Sequence, residues 1–253
     1  MTPVAAPLTE TACAEDPPRY HLSSWRERFG VTAGITGRDG GFNLGLGTDE
    51  PVAAITARWK ALFASFRPGF RRFVLGLQEH DTVVSRHDEG PAGWLIQPGV
   101  DAHLTRLPGV LMLVTVADCV PVYLLHPPSG AMALLHAGWR GIAAGILEQG
   151  ITELSALGCG SAKDIVMHCG VSICGECYEV GPEVVAAVGG AERAGRSQLD
   201  LRDVLAGRAA ECGVRDVTIS EWCTAHDAPR FYSHRRSNGR DGRMVAFLGR
   251  SLP

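Results

Sequence analysis

The feature that most constrains this chain is a pair of strand-length runs, Val120–His126 and 131–136, that are apolar at nearly every position and are separated only by Pro127-Pro128-Ser129-Gly130. A strand with one wet face alternates apolar and polar residues, whereas a run apolar throughout has to be covered on both faces. The short Pro/Gly connection closes the two runs into an antiparallel hairpin. The chain must therefore build a sheet with material packed on each side. Further short β-rich runs at 73–77, Val110–Val116, 164–168, 214–220 and 243–249 supply neighbouring strands.

Helical periodicity is clearest over 51–66, where Ile55, Trp59, Leu62, Phe63 and Phe66 fall on one face. Thr48 and Asp49 precede it as capping candidates and Pro68 stops it. Helices are also expected at 141–157, 182–188 and 200–212. Strands and helices do not alternate strictly, and no internal repeat is visible. An α+β class with mixed sheets covered by helices fits better than a doubly wound fold. Residues 1–19, with four Ala and four Pro and few large hydrophobes, are expected to be a flexible tail unless they dock. Residues 20–253 are expected to form a single catalytic domain.

Net charge and hydropathy narrow the function. With 24 basic against 27 acidic residues the net charge is −3, which excludes a nucleic-acid scaffold or a polybasic membrane patch and favours small-molecule partners. The longest apolar stretch, 110–125, is broken by Thr115 and Asp118 and is too short to span a membrane. The N-terminal residues lack the basic and apolar regions of a secretory signal, so a cytoplasmic location is expected. The eight cysteines, Cys13, Cys119, Cys159, Cys169, Cys174, Cys177, Cys212 and Cys223, are scattered, which favours reduced thiols or metal ligands over disulfides.

Chemistry concentrates on the hairpin. Ala117-Asp118-Cys119-Val120-Pro121 leads into its first strand and His136-Ala137-Gly138-Trp139-Arg140-Gly141 closes its second. If His126 pairs with Ala131, Pro121 faces His136, and Cys119 lies diagonally across on the same face, with Cα atoms ~7–8 Å apart. That separation lets a thiolate and an imidazole share one metal ion, and equally suits a Cys-His nucleophilic pair. A buried cysteine that is merely a small core residue is the alternative. Gln78 and His80, ending the run before them, point the same way and offer a third nitrogen.

Other motifs are weaker. Cys174-Gly175-Glu176-Cys177 with Cys169 suggests redox or metal chemistry, but a lone CxxC lacks two partners, so incidental thiols in a glycine-rich loop are expected. Gly138-Trp139-Arg140-Gly141, at a strand-to-helix junction, offers free amides and a guanidinium to a phosphate. The segment 230–243, with Phe231, Tyr232, Arg235, Arg236 and Arg240, suits either an anionic, ring-containing ligand or plain solvent.

Taken in order, Gln78-Glu79-His80, Asp101-Ala102 with Thr105, Ala117-Asp118-Cys119-Val120-Pro121, His136 to Gly141, Tyr178-Glu179-Val180-Gly181, Cys223-Thr224, Phe231-Tyr232-Ser233 through Arg235-Arg236, and Gly242-Arg243 resemble the YfiH family. Its members carry the names multicopper polyphenol oxidase (laccase), purine nucleoside phosphorylase and peptidoglycan editing factor. The resemblance implies a four-layer α/β/β/α fold. It implies a zinc site on His80, Cys119 and His136, and phosphorolysis of adenosine, inosine and methylthioadenosine with adenosine deamination at the same site. On these motifs His80, Cys119, His136 and Arg140 are the catalytic candidates, and Gln78, Asp118, Arg140 and Gly141 the substrate-binding ones. The chain departs from the family pattern at His103, Val171 and His234.

Two enzymatic rivals are compatible with the same residues. A copper-dependent phenol oxidase would use His and Cys ligands, but oxygen reduction of the laccase type needs HxH pairs. None occurs among the nine histidines. A hydrolase or amidase editing peptidoglycan precursors would use Cys119 as nucleophile and His136 as base. The non-enzymatic alternative is a metal-bearing binding module.

Overall fold

The structure is a computed structural model that describes residues 5–158, 160–191 and 194–253. Cys159 and the first four residues of the expected tail lie outside the described residues. Two seven-stranded mixed sheets stack face to face, with helices on their outer surfaces, giving the four layers. In the first sheet the strand order is Ala6–Pro7, Asp216–Ile219, Val166–Cys169, Val120–His126, Ala131–Ala137, Ala102–Thr105 and Val84–Arg86. In the second it is Thr11–Cys13, Arg19–His21, Thr32–Thr36, Met244–Gly249, Val110–Val116, Arg72–Leu77 and Gly93–Pro98.

The hairpin sits at the centre of the first sheet because both its faces are apolar. Val122, Leu124, Ala133 and Leu135 point outward against the helices Ile146–Gly158 and Leu201–Glu211. Tyr123, Leu125, Met132 and Leu134 point inward and meet Met112, Val114, Ala246 and Leu248 of the second sheet. On the far side Leu111, Leu113 and Phe247 pack under the helix Val52–Phe66. Each such leucine is worth about 2–5 kcal/mol on truncation to Ala. The hairpin register is the expected one, with His126 opposite Ala131 and Pro121 opposite His136.

Several elements differ from expectation. The N-terminal segment docks: Ala6–Pro7 adds a parallel edge strand beside Asp216–Ile219, and Thr11–Cys13 pairs with Arg19–His21. What anchors it is polar. The buried Glu10 carboxylate accepts hydrogen bonds from Ser220 Oγ and the Val171 N–H, and lies 3.2 Å from His168 Nε2. The helix expected over 141–157 is two, Trp139–Ala144 and Ile146–Gly158, because Gly145 takes a left-handed conformation (φ 96°) that ends the first. Thr48 and Asp49 do not cap the helix Val52–Phe66, whose N-cap is Pro51. Thr48 Oγ1 instead serves the preceding loop, donating to the Gly45 carbonyl. Among the described residues no helix is long and apolar enough to cross a membrane.

Candidate functional site

Hairpin alternation puts Cys119 and His136 on the inward face, at the end of the space between the sheets, with Met132, Leu134 and Tyr123 behind them. The segment after Arg72–Leu77 brings His80 to the same point. One donor atom from each of His80, Cys119 and His136 lies within 4.8 Å of the others. Cys119 Sγ is 3.8 Å from His80 Nε2, and the two imidazole rings are 4.8 Å apart edge to face. His136 is buried, Cys119 half-buried and His80 exposed, so the trio opens on one side.

Asp101 assembles this trio. Its buried carboxylate accepts from three consecutive backbone N–H groups, Glu79 (3.0 Å), His80 (3.0 Å) and Asp81 (3.1 Å). It also holds His136 Nδ1 at 2.8 Å, leaving Nε2 for the centre. Burial would raise the Asp101 pKa, but His136 and the amides hold it below the usual carboxylate range. His80 (φ 62°) and Asp118 (φ 83°) are two of the three non-glycine residues with left-handed backbone among those described. Such strain persists only where surroundings enforce it. For Asp118 the enforcers are Thr224 Oγ1 and the Arg235 N–H, both donating to its carboxylate, and the Ile173 N–H donating to its carbonyl. Gly138 is required by close approach, since a Cβ there would lie 2.8 Å from His80 Cδ2 and 3.0 Å from Cys119 Sγ.

Burial alone would push the Cys119 thiol up, yet the facing His136 and His80 rings bring it down to about 6. Burial would likewise depress His136, but the Cys119 sulfur and the Asp101 carboxylate hold it up at about 9. The lowered thiol and the raised imidazole each favour the charged form of the other, and a deprotonated sulfur is the form in which a cysteine would ligate a metal ion. One thiolate and two imidazoles suit zinc or copper.

The trio floors a cleft of about 640 Å³, within the usual range for small-molecule sites. Gln78, Asp118 and Arg140 line it, together with Tyr178, His234, Arg235 and Arg243. The roles differ from residue to residue. Gln78 uses its amide on the second sheet, donating to the Thr115 carbonyl and accepting from its N–H and hydroxyl. Arg140 stacks over Trp139 with its guanidinium 4.3 Å from the ring centre, exposed, and among the described residues it meets no carboxylate. Gly141 lies behind the cleft, where a Cβ would come 3.3 Å from the Asp81 carbonyl. From the basic segment, Arg235 stacks on Tyr178 at 4.8 Å and faces the cleft, whereas Arg236 pairs with Asp241 and Phe231 and Tyr232 are core. Of the departures, His234 lines the cleft, Val171 is core, and His103 is buried against His87 at 2.9 Å.

The ground for reading the CxxC as incidental does not hold. Cys174 and Cys177 do not lack partners: Cys223 and His226 complete a second cluster whose four donor atoms lie within 4.8 Å of one another. Cys169, by contrast, is an inert core thiol facing the outer helices. The signal that could have found the cluster is Cys223-Thr224-Ala225-His226, whose spacing repeats that of the CxxC. Asp101 and Tyr178 were present in the motifs, but their roles were not legible without the loops they contact.

Fold and trio together define a two-sheet α/β protein with a three-donor, open-sided Cys-His-His centre in a cationic cleft. The profile of the multi-copper polyphenol oxidoreductase laccase family matches residues 22–251, and the chain belongs to that family. It is 35% identical over 229 residues to the purine nucleoside phosphorylase of Deinococcus radiodurans, covering 87% of this chain and 85% of that protein. It is also 35% identical over 165 residues to adenosine deaminase RL5 of an unknown prokaryotic organism, covering 60% and 63%. The crystal structure of YlmD from Geobacillus stearothermophilus superposes with a TM-score of 0.87 at 27% identity, covering 96% of this chain and all of that one.

Proposed function

We propose that this chain is a zinc-dependent purine nucleoside phosphorylase acting on adenosine, inosine and methylthioadenosine, with adenosine deaminase activity at the same centre. The observation that carries this reading is the convergence of His80, Cys119 and His136 at the floor of a cleft that also presents Arg140 and Arg235. The names of the relatives support the substrate class. Three protein donors are what a catalytic zinc site uses, the fourth position being left to water or substrate. Zinc bound there supplies a Lewis acid and a water that ionises near neutral pH.

The chain's own residues do the rest. Asp101 fixes the ring and tautomer of His136 and the backbone of His80, so the donors are positioned before substrate enters. In phosphorolysis a phosphate oxygen bonds to C1′ of the ribose as the C1′–N9 bond breaks, its electron pair leaving on the purine, which takes up a proton. Arg140 and Arg235 neutralise the phosphate, the guanidinium fork matching its oxygens. Tyr178, with Arg235 stacked on it, forms a flat wall for the purine ring. In deamination water adds at C6 and ammonia leaves, and phosphate has no part.

The test is a paired assay on metal-replete protein. Free base and ribose 1-phosphate should form from inosine only when phosphate is present, and inosine should form from adenosine without it. Base release independent of phosphate, or no turnover at all, would contradict the proposal. The lowered Cys119 thiol beside a raised His136 also favours a second reading, a Cys-His hydrolase or amidase. Turnover that survives chelation but is lost on alkylation of Cys119 would select it.

A further inference from the structure

We propose that Cys174, Cys177, Cys223 and His226 form a second metal site, a closed tetrahedral zinc site that is structural and separate from the cleft centre. The four donors come from two hairpin-like turns. In the first, the Cys177 N–H donates to the Cys174 carbonyl across Gly175-Glu176; in the second, the Asp227 N–H donates to the Cys223 carbonyl. The turns are held together by a bridge between Ser172 and Cys223 and by the Thr224 N–H donating to the Ser172 carbonyl.

The geometry is that of a metal cage. Four-coordinate zinc with Zn–S near 2.3 Å and Zn–N near 2.0 Å places sulfur and nitrogen about 3.5 Å apart at the tetrahedral angle. Cys174 Sγ and His226 Nδ1 are 3.6 Å apart, and no pair of donors exceeds 4.8 Å. The Cys174 N–H donates to Cys223 Sγ at 3.3 Å, a contact that ties the two turns directly at the sulfur. His226 turns Nδ1 toward the thiols, while its Nε2 lies 4.0 Å from the exposed Glu176 carboxylate, an ion-pair distance too long for a hydrogen bond. Three thiolates and one imidazole leave no open position, which marks a structural rather than a catalytic site and selects zinc over harder cations. A disulfide would use two of the three sulfurs and give His226 nothing to do.

The position explains why a clamp belongs there. Ile173 and Thr224, the neighbours of Cys174 and Cys223, are two of the groups that enforce the strained backbone of Asp118, and Asp118 precedes Cys119. Tying the two turns together therefore steadies the strand end that presents the cleft thiol.

The proposal is independent of the reading of the cleft centre, and the test keeps the two apart. Full-length protein is stripped with chelator under reductant, reloaded with zinc, desalted and analysed for metal. The parent should hold two equivalents, Cys119→Ala one, Cys174→Ser/Cys177→Ser one, and the triple variant none. Cobalt(II) added to stripped Cys119→Ala should give the strong thiolate-to-metal charge-transfer bands of a three-sulfur site. Because His226 is exposed, His226→Ala serves as the variant that preserves folding, and it should lose the same equivalent. Zinc should raise the Tm of Cys119→Ala and leave that of the triple variant unchanged. A Cys119→Ala protein that binds neither zinc nor cobalt, or whose thiol count after reductant removal shows a Cys174–Cys177 disulfide, would overturn it.

Discussion

Replacing Asp101 with Asn tests how the cleft centre is assembled. In the parent the two carboxylate oxygens accept four hydrogen bonds, from the Glu79, His80 and Asp81 amides and from His136 Nδ1, and the side chain has no solvent exposure. Asn keeps one acceptor oxygen and turns an NH2 group toward the donors the other oxygen served. Two of the four bonds are lost whichever way the amide sits. At about 1.5–3 kcal/mol for each bond to a charged group, the expected loss of stability in the metal-free protein is about 3–6 kcal/mol. Metal affinity should fall by about 10–100-fold, because the amide loses either the bonds to His136 Nδ1 and the His80 N–H, which share one carboxylate oxygen, or those to the Glu79 and Asp81 N–H groups that hold the backbone on each side of His80. Urea unfolding of stripped protein reads the first quantity, and zinc competition against a chromophoric chelator reads the second. An Asn variant within about 0.5 kcal/mol of the parent, the range of an inconsequential surface change, and with unchanged zinc affinity would refute the assignment of Asp101 as the anchor.

Other outcomes follow from the same geometry. Gly138→Ala should weaken zinc binding at the cleft by about tenfold or more while leaving far-UV circular dichroism unchanged, since the new Cβ would strike His80 and Cys119. Arg140→Ala should reduce phosphorolysis of inosine by about tenfold or more and adenosine deamination far less, read from the paired assay; equal losses would assign Arg140 to the nucleoside or the fold. Burial, with Arg72 nearby for His87 and His87 itself for His103, holds these rings down at about 4 and about 3. The unfolded chain takes up their protons first, near pH 6.5, so their contribution is complete above that value and is lost as the pH falls toward 4 and 3. The slope approaches about 2.7 kcal/mol per pH unit for the two rings. It is measured as the difference in urea stability between the parent and a His87→Phe/His103→Leu variant from pH 7 to 5; parallel profiles would contradict it.

Legibility in the sequence followed the range of the interaction. The hairpin register could be read because a four-residue turn and two apolar runs fix it locally, and Cys119 and His136 came with it. The helix Val52–Phe66 was legible from its period, down to the five buried residues. The strand Ala102–Thr105 was not, since His103 and Thr105 are polar yet fully buried, with His87 meeting only the Nδ1 of His103 and the hydroxyl of Thr105. Without that strand the place of Asp101 was hidden. Gly93–Pro98 is an edge strand with Trp94 and Ile96 exposed, so its pattern resembles a loop. The N-terminal strands escaped because a buried carboxylate, Glu10, anchors them in place of apolar bulk. The Cys174–His226 cluster needed two distant turns to be seen side by side.

The central claim is that His80, Cys119 and His136 hold one zinc ion on which turnover depends. Its most direct test is metal content and activity of Cys119→Ala measured on the same preparation, with circular dichroism as the check on folding. The account predicts one zinc equivalent fewer than the parent and loss of both phosphorolysis and deamination in a folded protein. A folded variant that keeps the parent's full zinc content, or that keeps its turnover, would contradict it.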